Sequence, residues 1–392
     1  MRRPDLTLLD GARGPVSAPG KEPIGHPPNR RRVRGYGEAV RSGKSRNMPE
    51  AKVSDLQTRI AEAQAKVAEV RPGIYEIFLP LPMRPTIINV YLVDCHGAWT
   101  LIDTGMNTPD SIATLEAAFQ RVGTKLEKLD TLIGTHHHVD HFGSSATIKQ
   151  RSGARTLLHD LEVERVNRML AFGPPSARPD AVEFFRTHGF PIDDHPPEGM
   201  RPAWFGSNMY NPLPQPDQYL NDGDVIRVGD REFEVIWTPG HAPGHCVIYM
   251  RKEKVLIVGD HLLPKITPHV GLYPSLPSGN PLGDFIQSQL KIQRFEVELV
   301  LPAHGGVFHD HRHRANQLIE HHRYREAEML DLVKRKPQCA FDVAQQIFGG
   351  EERPIFHVMA ATFETLAHLE LARIEGRARR SEQNGRTLYQ AL

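Results

Sequence analysis

Four histidines and one aspartate fall within the six positions from His136 to His141, just after the apolar pair Leu132-Ile133. The apolar pair reads as the end of a buried strand, so the polar tract that follows is a loop. In extended chain, side chains at i and i+2 point the same way. His136 and His138 can therefore converge on one point, while Asp140 and His141 turn toward a second point nearby. Imidazole and carboxylate are ligands suited to Zn²⁺, Fe²⁺ or Mn²⁺. The plain alternative for the tract read alone, the lesser of the two, is a polar surface loop, since His-rich stretches occur without a bound ion.

The same arrangement, a strand ending in a ligand-type residue, recurs along the chain. Trp99–Ile102 ends at Asp103, Phe233–Trp237 leads to His241, Val255–Val258 ends at Asp260, and Leu299–Leu301 ends at Pro302-Ala303-His304. Ligands gather at strand ends in α/β folds. Further strands are expected at 74–79, 87–93, 131–133 and 156–158. Residues 225–228 and 233–237 read as a hairpin, and 247–249 pairs with 255–258. Helices are expected near 110–122, 145–150, 160–172, 180–187 and 282–295. This order of strands and helices predicts an α/β layout with mixed sheets. Val53, Leu56, Ile60, Ala63, Val67 and Val70 step by threes and fours, which predicts an amphipathic helix over 50–70. From 191 to 216 the chain is Pro-rich and carries Trp204, Phe205, Met209 and Tyr210. That stretch is too long for a plain connector, so 159–216 reads as a lid or substrate wall inserted in the main domain.

The chain has 392 residues, 39% apolar and 24% charged, with a formal net charge of +1. A well-packed core is within reach, and binding to nucleic acid by bulk charge is not indicated. Residues 1–47 stand apart: eleven Lys and Arg against four Asp and Glu, with the run Arg30-Arg31-Arg32-Val33-Arg34. They predict a disordered basic extension, with Met48 as an alternative start. Three scattered cysteines, Cys95, Cys246 and Cys339, imply no disulfide framework and suit a reducing, cytoplasmic setting. No apolar run reaches the roughly 18 residues of a membrane span, and no secretory signal is visible. After 310 the pattern is a long charged helix over 311–336, helices near 340–348 and 355–375, and a short hairpin, an arrangement similar to a winged helix. The reading therefore places a main domain at 48–310 and a helical linker with a winged-helix-like unit at 311–392.

Taken in order, Asp103, His136-His137-His138-Val139-Asp140-His141, His241, Asp260 and His304 resemble the motifs of the metallo-β-lactamase fold superfamily of metallohydrolases over roughly 73–310. The resemblance implies an αββα sandwich of two mixed sheets flanked by helices, with the site at one edge. It implies that His136, His138 and His241 hold one divalent ion. Asp140, His141 and His304 then hold a second, with Asp260 bridging both and Asp103 orienting ligands from behind. The plain alternative for Asp103 is a helix cap. His137, His245, His261 and His309 read as neighbours that make supporting hydrogen bonds.

Two ions a few ångströms apart lower the pKa of a shared water, and the resulting hydroxide attacks a carbonyl or phosphoryl centre. The expected catalytic carboxylates are Asp140 and Asp260. Zinc suits the all-N/O donor set, as do iron and manganese. An aspartate at position 260 resembles the glyoxalase II-like, lactonase, thioesterase and nuclease branches rather than the true β-lactamases. The expected substrate is a small carboxylic ester, thioester (acyl-CoA among them) or lactone, with Tyr273 a candidate phenol donor in the wall. The alternatives are a metal-dependent ribonuclease of the same fold and a non-catalytic winged-helix binding protein with a structural metal site. The basic residues Arg373, Arg377, Arg379, Arg380 and Arg386 read as a solvated face, a dimer contact or a phosphate site. A homodimer is compatible with the sequence, and no membrane partner is expected.

Overall fold

The structure, a computed structural model, describes residues 66–172, 179–191, 215–274, 277–349 and 354–392. All of them lie in one compact unit, Gly43–Leu392. The expectations for 1–47, for 50–65 and for the Trp- and Tyr-bearing part of 191–216 fall outside the described residues.

Two mixed sheets form the framework. The first is seven-stranded, in sequence order: β1 (Val67–Arg71), β2 (Ile74–Pro80), β3 (Ile87–Asp94), β4 (Trp99–Ile102), β5 (Thr131–Ile133), β6 (Arg155–Leu158) and β7 (Gln218–Tyr219). Its first four strands are antiparallel and β4 to β7 are parallel. The second is five-stranded, in the order β12 (Leu299–Pro302), β11 (Val255–Gly259), β10 (Cys246–Met250), β9 (Arg231–Trp237), β8 (Val225–Val228). Only β11 and β12 pair parallel there.

The alternation along each strand separates three layers of core. Tyr91 and Val93 of β3 join Ile248, Met250, Val255 and Ile257 of the second sheet in the inner core between the sheets. Ile88, Val90 and Leu92 face outward instead, onto Leu115 and Phe119 of α1 (Pro109–Arg121). Short helices α2 (Val139–Phe142) and α3 (Ser145–Ser152), then α4 (Asp160–Phe172) and α5 (Pro179–Thr187), follow in sequence. On the far side, Val247, Tyr249, Leu256 and Val258 are covered by α6 (Pro281–Ile292), α7 (His311–Arg335) and, beyond α8 (Ala340–Phe348), by α9 (Ile355–Ile374). This is the αββα sandwich. Strands buried on both faces read as continuous apolar runs, as these do.

One reading changes. Val67 and Val70, taken as the end of a helix, lie in β1, an edge strand whose register with β2 bulges between Glu69 and Arg71. Their helical spacing is outweighed by pairing with β2, which β-branched valines also suit. The tail has its two helices and a hairpin, β13 (Ala378–Gln383) with β14 (Arg386–Ala391). Yet α7 and α9 also supply Ala315, Leu318, Ala367 and Leu371 to the outer core of the second sheet. Arg373, Arg377, Arg379 and Arg380 pair with Glu370, Glu326 and Glu375, Gln390, and Glu370 respectively. Of these, Arg380–Glu370 fastens the hairpin to α9 and Arg377–Glu326 fastens the turn before it to α7. No helix among the described residues is long and apolar enough to cross a membrane.

Candidate metal centre

Strand direction brings the five ligand-bearing loops together. β4 and β5 run parallel, so Asp103 and the His136–His141 loop leave the same edge. β9 and β11 both oppose β10, so His241 and Asp260 leave one edge of the second sheet, and β12 adds His304 beside them. Backbone bonds stitch the two sheets together beside the loops: Cys246 N donates to Thr135 O at 2.9 Å and Asn89 N to Ala303 O at 2.7 Å. Gly259 lies so close to Thr135 and His245 that a Cβ there would stand 2.8 Å from Thr135 Oγ1 and from His245 Nε2.

Among the described residues two groups of ligand-type atoms converge, each within 4.8 Å: His136, His138, His241 and Asp260, and Asp140, His141 and His304. In the first, His136 Nε2 lies 2.9 Å from His138 Nδ1, and His241 Nε2 lies 3.3 Å and 3.0 Å from those two atoms. The hydrogen-bond network assigns the tautomers. Thr135 Oγ1 donates to Asp103 Oδ2 at 2.8 Å, so it accepts from His136 Nδ1 at 3.0 Å. His241 Nδ1 donates to His269 O at 2.8 Å. His136 Nε2 and His241 Nε2 are therefore lone pairs facing each other. Burial, reinforced by neighbouring imidazoles, holds His136 and His138 well below the usual histidine range, and burial lowers His241 as well. Neutral imidazoles with converging lone pairs are what a cation needs. For tetrahedral ligation at 2.0–2.1 Å the nitrogens stand about 3.3 Å apart, close to the spacing seen.

The second group is of opposite character. His141 Nδ1 donates to Asp103 Oδ2 at 2.9 Å, and His304 Nδ1 to Ile87 O at 2.9 Å. His304 Nε2 stands 3.4 Å from Asp140 Oδ2 and 3.6 Å from Asp260 Oδ1. His141 Nε2 stands 3.4 Å from Asp260 Oδ1, and both atoms are buried without a hydrogen-bond partner. Burial opposes charge on His141, but Asp260, Asp140 and Asp103 outweigh it and raise its pKa well above the usual value. His304 is raised against burial chiefly by Asp260. The two carboxylates demand positive charge here, which a divalent ion supplies as well as protons do. Asp260, of the first group, also faces the second, with Oδ1 toward His141 and His304, and Oδ2 3.5 Å from His241 Nε2.

Asp103 takes a left-handed backbone, φ 60°, and its carboxylate also accepts from Thr135 N at 2.8 Å. It does not cap the next helix; Thr108 does, accepting from Ser111 N at 3.2 Å. His137 turns away to Glu162, and His245 bonds Thr238 Oγ1 at 3.0 Å. His309 reaches Glu298 O at 2.6 Å, and His261 is buried beside Phe285. Cys246 is buried, and burial raises its thiol well above the ordinary range, so it is a core residue and no nucleophile. Tyr273 packs on Phe363, and its hydroxyl meets His269 Nε2 at 2.8 Å.

Two supports had no sequence signal. Glu162, fully buried on α4, binds the Nδ1 and backbone N–H of His137 and accepts from Gly244 N at 2.5 Å. It ties the histidine loop to the His241 loop. Burial would raise its pKa, but His137 and the backbone donors hold it below the usual carboxylate range. Asn89 Nδ2 donates to Pro302 O at 3.0 Å and Gly305 O at 2.7 Å, clamping the His304 loop to the first sheet.

A family model described as the metallo-beta-lactamase superfamily matches residues 83–304. A crystal structure of a metallo-beta-lactamase family protein from Thermus thermophilus aligns with a TM-score of 0.67 and 32% identity, covering 83% of this chain and 100% of that one. The probable metallo-hydrolase YqjP of Bacillus subtilis is 26% identical over 81% of this chain and 97% of its own length. The acyl-coenzyme A thioesterase MBLAC2 of Bos taurus is 28% identical over 56% of this chain and 74% of its own.

Proposed function

The chain belongs to the metallo-β-lactamase superfamily, and from that premise we propose that it is a two-metal hydrolase of carboxylic esters, thioesters or lactones. The observation that carries the reading is Asp260, whose two oxygens face different groups of ligand atoms. His136, His138 and His241 with Asp260 Oδ2 would hold one ion, and Asp140, His141 and His304, with Asp260 Oδ1 beside them, would hold the other. Divalent ions bound there would lower the pKa of a bound water and polarise a substrate carbonyl. The chain's own residues do the rest. Asp103 and the carbonyls of Ile87 and His269 fix the imidazoles of His141, His304 and His241, so their lone pairs need no reorientation. Asp140 Oδ2, 3.4 Å from His304 Nε2, would serve the second ion as a ligand. Zinc, iron and manganese all suit these donors.

Among the substrates, the name of the bovine relative favours a thioester. The tail arginines that could have met phosphate pair mostly with internal glutamates, which disfavours the ribonuclease reading. The test is to purify the full chain, measure its transition-metal content, and assay acyl-CoA thioesters and single-stranded RNA side by side. Thioester turnover, lost in Asp260→Ala, is the expected result. RNA cleavage steeply weakened by salt, without thioester turnover, would overturn it.

A further inference from the structure

The loop after β11 lies between the metal centre and the C-terminal helix α9. His269 O accepts from His241 Nδ1 at 2.8 Å, and so sets both the tautomer and the ring orientation of that ligand. The same residue's side chain is held from the other side: Nε2 by Tyr273 Oη at 2.8 Å, and Nδ1 by Glu364 Oε2 of α9 at 3.5 Å. The loop is pinned to the helix at three further points. Leu272 N donates to Phe363 O at 3.1 Å. Tyr273 packs on the Phe363 ring at 4.5 Å between centroids. Val270 is fully buried in the core that includes Ala367 and Leu371. Gly271 makes this approach feasible, since a Cβ there would stand 3.0 Å from Phe363 Cβ and 2.7 Å from His269 Nε2.

We infer that Glu364 is a positioning residue for the ion held by His136, His138 and His241, acting through His269. The C-terminal helix is then a structural part of the metal centre, although it lies more than a hundred residues beyond His241 and contributes no ligand. The inference rests on the three imidazoles being a metal site. Nothing else at the centre depends on Glu364: His141 and His304 are oriented by Asp103 and Ile87. One of the two ions should therefore respond to this residue and the other should not.

The experiment uses the full chain, stripped by a chelator and titrated with Zn²⁺ against a competing chromophoric chelator, for wild type, Glu364→Ala, Glu364→Gln and Leu369→Ala. Leu369 is buried in the tail core, a cluster that Leu272 of the loop also packs against, so its truncation controls for loosening of the tail and of its apolar grip on the loop. For Glu364→Ala the expected result is an approximately tenfold weaker affinity for one equivalent, at the low end for an outer-shell partner. The second equivalent stays unchanged. Glu364→Gln, which keeps an acceptor at the same place, recovers most of the loss, and Leu369→Ala binds like wild type despite a lower Tm. Wild-type affinities in Glu364→Ala, or an equal loss in Leu369→Ala, would overturn the inference. A wild-type chain that takes up no Zn²⁺ would overturn the metal reading itself, a result separate from any variant.

Discussion

At the scale of single residues, the centre depends on side chains that never touch an ion. Glu162 satisfies two backbone N–H groups and the His137 ring from a fully buried position. Glu162→Ala leaves those donors without a partner in the interior, at a cost of about 2–4 kcal/mol. Denaturant melts should show that loss, and metal titration should show weaker binding because the two ligand loops are no longer tied. The pH dependence has a definite sign. Its folded pKa is depressed, so its stabilisation is present above the unfolded value near 4.3 and is lost as pH falls through the folded one. Asp103 shows how much of this was legible. Its strand-end position is visible in Ile102-Asp103-Thr104-Gly105, and its partnership with the histidine loop is what the family resemblance implied. Its left-handed backbone and its bond to His141 are not, because both depend on how β4 and β5 lie side by side.

At the scale of elements, the strands were readable wherever an apolar run was continuous, and the loops followed from their ends. The failure at β1 came from a segment whose valines fit helix and strand alike, so that only pairing with β2 decided it. The β2–β3 pair holds a second buried carboxylate, Glu76, which accepts from Tyr91 Oη at 3.3 Å. Burial pushes its pKa up to about 7. A raised carboxyl pKa means the folded state binds the extra proton, so stability falls as pH rises from about 4.5 to about 7 and is level beyond. Glu76→Gln removes the charge and keeps the shape. It should raise Tm by a few degrees at pH 8 and leave it nearly unchanged at pH 5; a uniform shift at both would refute the assignment.

At the scale of the whole molecule, the chain beyond 310 shares the outer core of the second sheet with the sandwich. Removing residues 311–392 strips Ala315, Leu318, Ala367 and Leu371 from the outer face of the second sheet and leaves α6 alone over Val247, Tyr249, Leu256 and Val258. Each large apolar side chain exposed in this way loses up to roughly 1.5–3 kcal/mol of burial. The truncated chain should express as aggregate, while the full chain folds; a monodisperse, folded 1–310 fragment would contradict this. Ions held between buried lone pairs and carboxylates also stabilise the fold by mass action, about 2.7 kcal/mol at a hundredfold excess over Kd. Chelation should therefore lower Tm, and Zn²⁺ or Mn²⁺ should restore it.

The sequence by itself determined the donor types, their order and their position at strand ends. Those are local properties, set by residue chemistry and by the period of two in a strand. The tertiary structure alone decided that Asp260 stands between two groups, that Glu162 ties the two loops, and that the tail helix reaches His241 through His269. Each of these joins residues distant in the chain, and only packing of the two sheets and their helices brings such residues within bonding distance.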